Sequence, residues 1–553
     1  MEVDVMKTNR TKWTVSGLII AVAICSLTLQ STASAEFRQV MIPMRDGVNL
    51  AANISLPDGD GPWPVVLTRT PYNKDGRRAR SADDDSPREQ GGQYLEKGIA
   101  YVSQDCRGRF ASEGEYQAFL DDMEDGYDTV EWLAAQDWCN GKVGMVGGSA
   151  TGITTNLAAM ANPPHLVCGY VTVAHGSSYR NSTHPGGLYL YNLREEWLKA
   201  QGVKLPVVPR PISHVYTAED SKRDMREYYP KIDIPMVNVG GWYDIFSKGN
   251  IDNFMGLQYQ GAQGARGQQK LLMGPFGHGR LSGDLKYPEG RDGYDQVAFF
   301  EHWLKGEDNG FEDEPAVRYF VMGDAMNDDT LGNEWRTADE WPPDSTATKL
   351  YLRADGGLTS GLPAENESVS TYTHDPNNPI PSFGGNNLMM ERGPMDQREA
   401  SKRDDVVVFQ TEPLENAVEI AGRVTAKLFV STEAEDTDFM VKLVDVYPDG
   451  YEALVLDGGF RMRFHDGFEE YTRVEKGKVY SIEVDLWSTA LVFDKGHRIA
   501  LHVASSNYPR FGVHSNTWEP ILSFDDAVIA DNTVHHNAAR SSHVILPVTK
   551  IYE

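Results

Sequence analysis

Three glycine-rich stretches carry the side chains whose types and order could do chemistry. Ser149 lies within Gly147–Gly152, Asp244 ends Gly240–Asp244, and His278 lies within Gly274–Gly279. A serine hydroxyl becomes an effective nucleophile only when a base accepts its proton, and that base needs an acid to orient it. The stretches therefore predict covalent catalysis with Ser149 as nucleophile, His278 as base and Asp244 as orienting acid.

Each of these residues also has a purely structural interpretation. Gly147–Gly152 could be a plain loop, Asp244 could cap a helix beginning near Ile245, and His278 could be a surface turn residue. Three candidates in one chain order, each directly after a predicted strand, favour the catalytic interpretation. Catalytic groups of α/β sheets collect at strand ends in this way.

The flanking segments predict the elements that position these residues. The apolar run Lys142–Val146 predicts a buried strand and Ile153–Ala161 predicts a helix, so Ser149 stands at a sharp strand-to-helix turn. Pro235–Val239 and Lys270–Met273 predict the strands before Asp244 and His278. Because such runs alternate with helical segments, we expect a parallel sheet covered on both faces, spanning residues 36–338.

Two other regions have a different character. Between about residues 171 and 232 the alternation stops, and aromatic and proline residues predict a cap inserted over the active edge of the sheet. From residue 339 to 553 short alternating runs separated by turns predict an all-β sandwich. We therefore expect two folded domains behind a leader at residues 1–35.

Composition limits the partners and the compartment. The formal net charge of −28 argues against a nucleic-acid partner. A basic start, the apolar run Leu18–Leu29 and Ala33–Ala35 resemble a signal sequence, which predicts a periplasmic or secreted protein without a membrane anchor after cleavage. Any disulfide would join two of Cys106, Cys139 and Cys168. We expect no metal or organic cofactor. The sequence does not decide whether the protein forms a homo-oligomer.

Hydrolysis also needs hydrogen-bond donors for the oxyanion. The backbone N–H of Ala150 is one candidate, and the hydroxyl of Tyr72 in the loop Arg69–Tyr72 is another, although that ring could simply pack with its tip in water. Asp105 and Arg107 are expected to form an ion pair that braces the edge of the sheet.

Taken together, the motifs resemble the cocaine esterase-like (CocE/NonD) hydrolases, which are related to X-Pro dipeptidyl peptidases, α-amino acid ester hydrolases and glutaryl-cephalosporin acylases. The resemblance implies an α/β-hydrolase core, a helical cap and a jelly-roll (galactose-binding-like) C-terminal domain. It also implies the roles given above to Ser149, Asp244 and His278, with Tyr72 and Ala150 as oxyanion hole. The markers that carry it are Arg69–Tyr72, Gln104–Gly108, Gly141–Gly144, Gly147–Gly152, Gly241–Asp244, Gly274–His278, His302–Gly306, Asp375-Pro376, Thr437–Phe439, Gly496–Arg498 and Ser505–Phe511.

Two departures from the family pattern shape the expected substrate. Ala150 replaces an aromatic residue that usually follows the nucleophile. Ile245–Ser247 stands where amino acid ester hydrolases hold a substrate ammonium with acidic residues, and an apolar wall leaves a buried ammonium unpaired. We therefore expect an apolar acyl pocket formed by Ile245, Phe246 and Trp197.

The predicted function is an exported serine hydrolase that cleaves small ester or amide substrates through an acyl-enzyme. One alternative is an aminopeptidase that releases X-Pro dipeptides, for which Glu195 and Glu196 are the candidate anchors of a free amino terminus. The other alternative is a carbohydrate-binding protein with an inactive hydrolase core.

Overall fold

The computed structural model of the protein describes residues 36–76, 91–203, 213–288, 293–327, 329–519 and 526–553. These residues belong to one compact unit, Ala35–Glu553. The predicted signal sequence at residues 1–35 lies outside the described residues and stays a prediction.

A ten-stranded sheet forms the first part of the described chain. Its strands are β1 (Glu36–Pro43), β2 (Asn49–Leu56), β3 (Trp63–Thr70), β4 (Ala100–Asp105), β5 (Cys139–Gly148), β6 (Leu166–Thr172), β7 (Met236–Tyr243), β8 (Lys270–Gly277), β9 (Val317–Val321) and β10 (Glu334–Ala338). Their order across the sheet is β1-β2-β4-β3-β5-β6-β7-β8-β9-β10. Neighbours from β4 to β9 in this order run parallel, and the outer strands pair antiparallel.

Helices cover both faces of this sheet, as a parallel sheet requires. Along β3, Val65 and Leu67 pack into a core with Leu157, whereas Val66 between them packs on the opposite side with Phe300. None of the described helices is long and apolar enough to cross a bilayer. The α-helices are α1 (Gly92–Leu95), α2 (Asp122–Ala134), α3 (Ala150–Ala161), α4 (Tyr191–Ala200), α5 (Ala218–Ser221), α6 (Ser247–Gln260), α7 (Gln296–Phe300) and α8 (Arg398–Ser401).

The segment between β6 and β7 contains no strand of the sheet among its described residues. It holds a π-helical turn at Tyr179–Thr183, helices α4 and α5, and short 3-10 turns. Helix α4 buries Leu193, Trp197 and Leu198 on one face and exposes Lys199 at its end. This spacing of apolar residues explains why α4 lies with its apolar face on the core.

Antiparallel strands form the C-terminal part, which confirms the predicted all-β sandwich. One sheet has the order β12-β11-β21-β15-β20-β13 with β18 also paired to β15, and the other has the order β14-β19-β16-β17. In β15, Val424, Ala426 and Leu428 are buried and alternate with exposed Arg423 and Lys427, as expected for a strand with one core face. The strands are β11 (Thr346–Leu352), β12 (Leu358–Thr359), β13 (Ser370–His374), β14 (Val407–Gln410), β15 (Ala417–Thr432), β16 (Asp438–Val446), β17 (Glu452–Arg461), β18 (Tyr480–Phe493), β19 (Arg498–Ala504), β20 (Ala530–His535) and β21 (His543–Tyr552).

Candidate active site

Ser149 lies in a strained turn between β5 and α3. Its backbone has φ 58° and ψ −126°, a conformation that residues with a Cβ rarely adopt. A Cβ on Gly147 would lie 2.2 Å from the carbonyl oxygen of Thr151, and one on Gly152 would lie 2.7 Å from the Ala174 methyl group. The small residues around Ser149 are therefore required by close backbone approach.

Hydrogen bonds hold this turn against the sheet. The Ser149 N–H donates to the Thr172 carbonyl at 2.9 Å, and the Gly148 N–H donates to the Thr151 hydroxyl at 2.7 Å. Ala150 is the first residue of α3, where backbone N–H groups have no partner within the helix. The turn thus presents the serine hydroxyl beside the positive end of a helix.

The structure brings the three predicted side chains into one line. Asp244 follows β7 directly, and its Oδ2 lies 2.7 Å from Nδ1 of His278. His278 follows β8, and its Nε2 lies 2.9 Å from the Ser149 hydroxyl oxygen. Asp244 is fully buried, whereas the His278 side chain is 13% exposed. The arrangement can pass a proton from the serine to the imidazole and stabilise the resulting positive charge.

The other oxygen of the Asp244 carboxylate has its own partner. Oδ1 accepts the backbone N–H of Phe246 at 2.7 Å, just before helix α6 begins at Ser247. Asp244 therefore also orders the entry into this helix, as its structural interpretation suggested. The same contact fixes the carboxylate plane, so Oδ2 faces His278.

Two side chains from the C-terminal part support the loops that carry Asp244 and His278. The Asn386 amide donates to the backbone carbonyls of Trp242 at 2.7 Å and Asp244 at 2.9 Å. The Arg392 guanidinium donates to the carbonyl of His278. The role of these two residues is not predictable from the sequence, because a Gly- and Asn-rich stretch indicates turns and carries no signal of a distant partner.

A narrow cavity of about 20 Å³ opens at Ser149. Trp197 and Phe246 line it, as predicted, whereas Ile245 is buried in the core beside them and is not among the lining residues. Neighbouring residues on one turn point to different sides, so only one of the two predicted neighbours reaches the cavity. The lining residues are Phe119, Ser149, Ala150, Ile153, Ser182, Leu193, Arg194, Trp197, Phe246 and Leu388.

Aromatic rings define the cavity walls. The Phe246 ring meets the His278 imidazole edge to face at 5.7 Å, and Phe119 stacks on Trp197 with ring centroids 5.7 Å apart. The His175 ring also packs edge to face on Phe246, with ring centroids 4.9 Å apart. Burial lowers the pKa of His175 to about 3, so this imidazole is neutral at neutral pH. His175 therefore places no positive charge beside Phe246 and His278 at neutral pH.

Tyr72 lies on the loop after β3 and remains 40% exposed. Its hydroxyl oxygen accepts a hydrogen bond from Nε1 of Trp197 at 3.3 Å. Its backbone N–H donates to the Thr70 hydroxyl at 3.0 Å. The predicted oxyanion tyrosine is thus in contact with a residue that lines the cavity of Ser149.

The expected ion pair between Asp105 and Arg107 is wrong. Arg107 pairs with Asp125 of α2 at 2.6 Å, while Asp105 accepts the backbone N–H of Lys74 at 2.6 Å. Burial raises the pKa of Asp105 to about 6 despite that hydrogen bond. The chain turns after β4, so residues two positions apart reach different neighbours.

The cysteines described by the structure are not paired. Cys106, Cys139 and Cys168 are buried free thiols. Burial raises the pKa of Cys106 and Cys168 well above the ordinary value for a thiol. These side chains act as small apolar residues of the core and not as nucleophiles.

Family models match most of the chain. Residues 46–221 and 212–280 match the X-Pro dipeptidyl-peptidase (S15 family) model. Residues 309–545 match the model of the X-Pro dipeptidyl-peptidase C-terminal non-catalytic domain. The first match spans β2 to β8 of the ten-stranded sheet, and the second spans β9 and β10 of that sheet together with most of the all-β part.

Individual proteins resemble the chain over nearly its whole length. Cocaine esterase from Rhodococcus sp. is 34% identical over 92% of this chain and 98% of that protein. An aminopeptidase structure from a marine sediment Thaumarchaeota archaeon superposes with a TM-score of 0.79 at 25% identity, covering 93% and 97% of the two chains. An α-amino acid ester hydrolase gives 0.77 at 25% identity, covering 95% and 100%. The chain therefore belongs to the cocaine esterase-like (CocE/NonD) family of serine hydrolases.

Proposed function

We propose that this protein hydrolyses ester or amide bonds of small molecules through an acyl-enzyme on Ser149. The observation that carries the proposal is the hydrogen-bonded line from Asp244 through His278 to Ser149, with contacts of 2.7 and 2.9 Å. Both distances are within the range for proton transfer between positioned groups. An intact line of this kind also argues against an inactive core that serves only to bind carbohydrate.

In the first half of the reaction, His278 Nε2 takes the Ser149 proton while Oγ bonds to the substrate carbonyl carbon. The charge that develops on the carbonyl oxygen is stabilised by the Ala150 N–H and the Tyr72 O–H. The tetrahedral intermediate collapses when His278 returns its proton to the leaving oxygen or nitrogen. Asp244 holds the imidazole in the required tautomer throughout.

In the second half, water takes the place of the leaving group. His278 removes a proton from the water as its oxygen attacks the acyl carbon, and then returns that proton to Oγ of Ser149. The acid is released and the enzyme is restored. No electron transfer is involved, so the residues of the site balance the reaction without an oxidant or reductant.

The cavity disfavours an acyl group that carries a positive charge. Most lining side chains are aromatic or aliphatic, and no Asp or Glu is among the described residues that line it. A substrate ammonium would therefore lose its hydration without gaining a carboxylate partner. This supports a preference for simple acyl esters over α-amino acyl substrates.

The X-Pro aminopeptidase activity remains the second candidate, because the family models and the archaeal aminopeptidase structure favour it. Its candidate anchors have other contacts: Glu195 accepts the Tyr189 hydroxyl at 2.6 Å, and Glu196 lies 3.6 Å from Lys199. A p-nitrophenyl acyl ester compared with an Ala-Pro chromogenic amide distinguishes the two. We expect a higher kcat/KM for the ester, and a strong preference for the amide would reverse the ranking.

Ser149→Ala tests the nucleophile directly. We expect kcat to fall by at least about 10⁴-fold and labelling by a fluorophosphonate probe to disappear. Ser431→Ala is a matched control, because the Ser431 hydroxyl also contacts a histidine, His535 Nε2 at 2.9 Å, but lies in the C-terminal sheet. Undiminished labelling of the Ser149→Ala protein, or equal loss in both variants, would contradict the proposal.

We also propose export, with removal of residues 1–35. The proposal rests on the basic start, the apolar run Leu18–Leu29 and the small residues Ala33–Ala35. Mass spectrometry of protein secreted by the native host should give a mature chain that begins at Glu36. A mature chain that retains the apolar run would refute it.

A further inference from the structure

A hydrogen bond connects the cap helix α4 to the predicted oxyanion tyrosine. The indole Nε1 of Trp197 lies 3.3 Å from the phenolic oxygen of Tyr72. The indole is 9% exposed and is held by stacking on Phe119, with an angle of 16° between the rings. Since the indole N–H can only donate, the phenolic oxygen must accept, and its own hydrogen is left for another acceptor.

A second connection ties the same loop to the same helix. The Arg109 guanidinium donates to the carbonyl of Pro71 at 2.9 Å, one residue before Tyr72. It also donates to the backbone carbonyl of Gln201 at 3.0 Å, at the C-terminal end of α4. A cation is stabilised there by the helix dipole. The oxyanion loop therefore contacts α4 both through a side chain and through its backbone.

We propose that Trp197 is a positioning residue for the oxyanion hole, so that α4 is part of the catalytic machinery and not only a wall of the cavity. The inference rests on the proposed acyl-enzyme mechanism. A half-exposed tyrosine would otherwise hydrogen-bond water in several orientations. By donating to the phenolic oxygen, the indole fixes the ring and polarises its O–H, which strengthens that O–H as a donor to the oxyanion.

The position of Trp197 gives this contact a second consequence. The indole also lines the cavity beside Ser149 and Ala150. A substrate acyl group that packs on this ring restricts the ring further, and through the hydrogen bond it restricts Tyr72. Trp197 should therefore affect kcat, where oxyanion stabilisation is expressed, and not only KM.

The test is a double-mutant cycle with Trp197→Phe and Tyr72→Phe, assayed by hydrolysis of a p-nitrophenyl ester. Tyr72→Phe should lower kcat on the order of 10²-fold, because it removes one oxyanion donor. Trp197→Phe keeps an aromatic ring but loses the N–H, and should lower kcat about tenfold with little change in KM. In the Tyr72→Phe background, Trp197→Phe should have no further effect on kcat, since the indole acts through the hydroxyl.

Trp138→Phe is the matched control for the loss of an indole. Trp138 is half-buried against the same core but is not among the described residues that line the cavity. The kcat of Trp138→Phe should therefore stay within twofold of the wild-type value. Thermal unfolding of each variant checks that the fold is kept. If Trp197→Phe does not fold, Arg109→Met replaces it in the cycle, because it removes the backbone connection from outside the cavity.

The outcomes separate this inference from the proposed function. An unchanged kcat for Trp197→Phe, or an equal loss in both backgrounds, overturns the positioning role while leaving the nucleophile intact. A harmless Tyr72→Phe removes Tyr72 from the oxyanion hole and the inference with it. Retained activity of Ser149→Ala is a different result, and it alone overturns the acyl-enzyme mechanism.

Discussion

Replacement of Asp244 by Asn tests the proposed proton path with almost no change in shape. In the native site Oδ1 accepts the Phe246 N–H and Oδ2 faces Nδ1 of His278, each at 2.7 Å. The asparagine oxygen would keep the bond to Phe246, so its NH₂ group would face Nδ1. Two donors cannot pair, and the imidazole would be forced to carry its proton on Nε2, pointing at Ser149.

A histidine in that tautomer has no lone pair for the serine proton. The corresponding change in a chymotrypsin-type triad lowers kcat by about 10⁴-fold, and we expect a similar loss here. At about 1.36 kcal/mol per factor of ten, this is about 5.4 kcal/mol of transition-state stabilisation. Because Asp244 is fully buried, water cannot enter to replace the carboxylate, so the full effect should be seen.

The assay is steady-state hydrolysis of a p-nitrophenyl ester, with the rate of fluorophosphonate labelling as an independent measure of Ser149 reactivity. Asp466→Asn is the matched control, since Asp466 is 67% exposed and lies 3.6 Å from His465 on the surface. Its kcat should be that of the wild type. A kcat for Asp244→Asn within tenfold of the wild type, with the fold intact, would refute the assigned role.

Three further predictions concern the turn at Ser149, the backbone contacts of Asn386 and the pH dependence of stability. Gly147→Ala should abolish esterase activity and lower the free energy of unfolding by about 3 kcal/mol, because the new methyl group meets the Thr151 carbonyl. Denaturant melts measure the change in stability. Gly92→Ala is the control and should be neutral in these melts, since the space around Gly92 is open. Asn386→Leu should cost about 2 kcal/mol in the same melts and also lower kcat, since two buried carbonyls lose their donor. Burial lowers the pKa of His502 to about 3. Between about pH 6.5 and 3 the His502 imidazole therefore binds a proton only in the unfolded chain. The free energy of unfolding decreases as the pH decreases in that window. His502→Gln should flatten this dependence by about 1.4 kcal/mol per pH unit, and an unchanged slope would contradict it.

The grouping of Ser149, His278 and Asp244 could be predicted because the signals for these residues are local. A serine flanked by small residues, between a strand-like apolar run and a helical run, is a pattern that few other structures require. The strands before Asp244 and His278 are predicted equally clearly by their apolar runs.

The features that the sequence did not predict have a common physical cause. They depend on the direction in which a side chain points or on contacts between residues far apart in the chain. Phe246 reaches the cavity while its neighbour Ile245 does not, and only the backbone turn before α6 decides which one does. Asn386 meets Asp244 across 142 positions of the chain, so no local pattern could indicate the contact. Arg107 turns to Asp125 for the same reason.

None of the described residues of the all-β part belongs to the proposed proton path, yet the geometry of the site depends on this part. Loops that carry catalytic side chains are mobile unless other groups hold them. Here the Tyr243 hydroxyl at the end of β7 donates to the carbonyl of Leu454 at 3.0 Å, beside the two backbone contacts of Asn386. Arg392 holds the loop of His278 through the backbone carbonyl of that residue. Since an error of about 1 Å at a catalytic group can cost 10²-fold in rate, these buried contacts make the C-terminal sandwich part of the active-site structure.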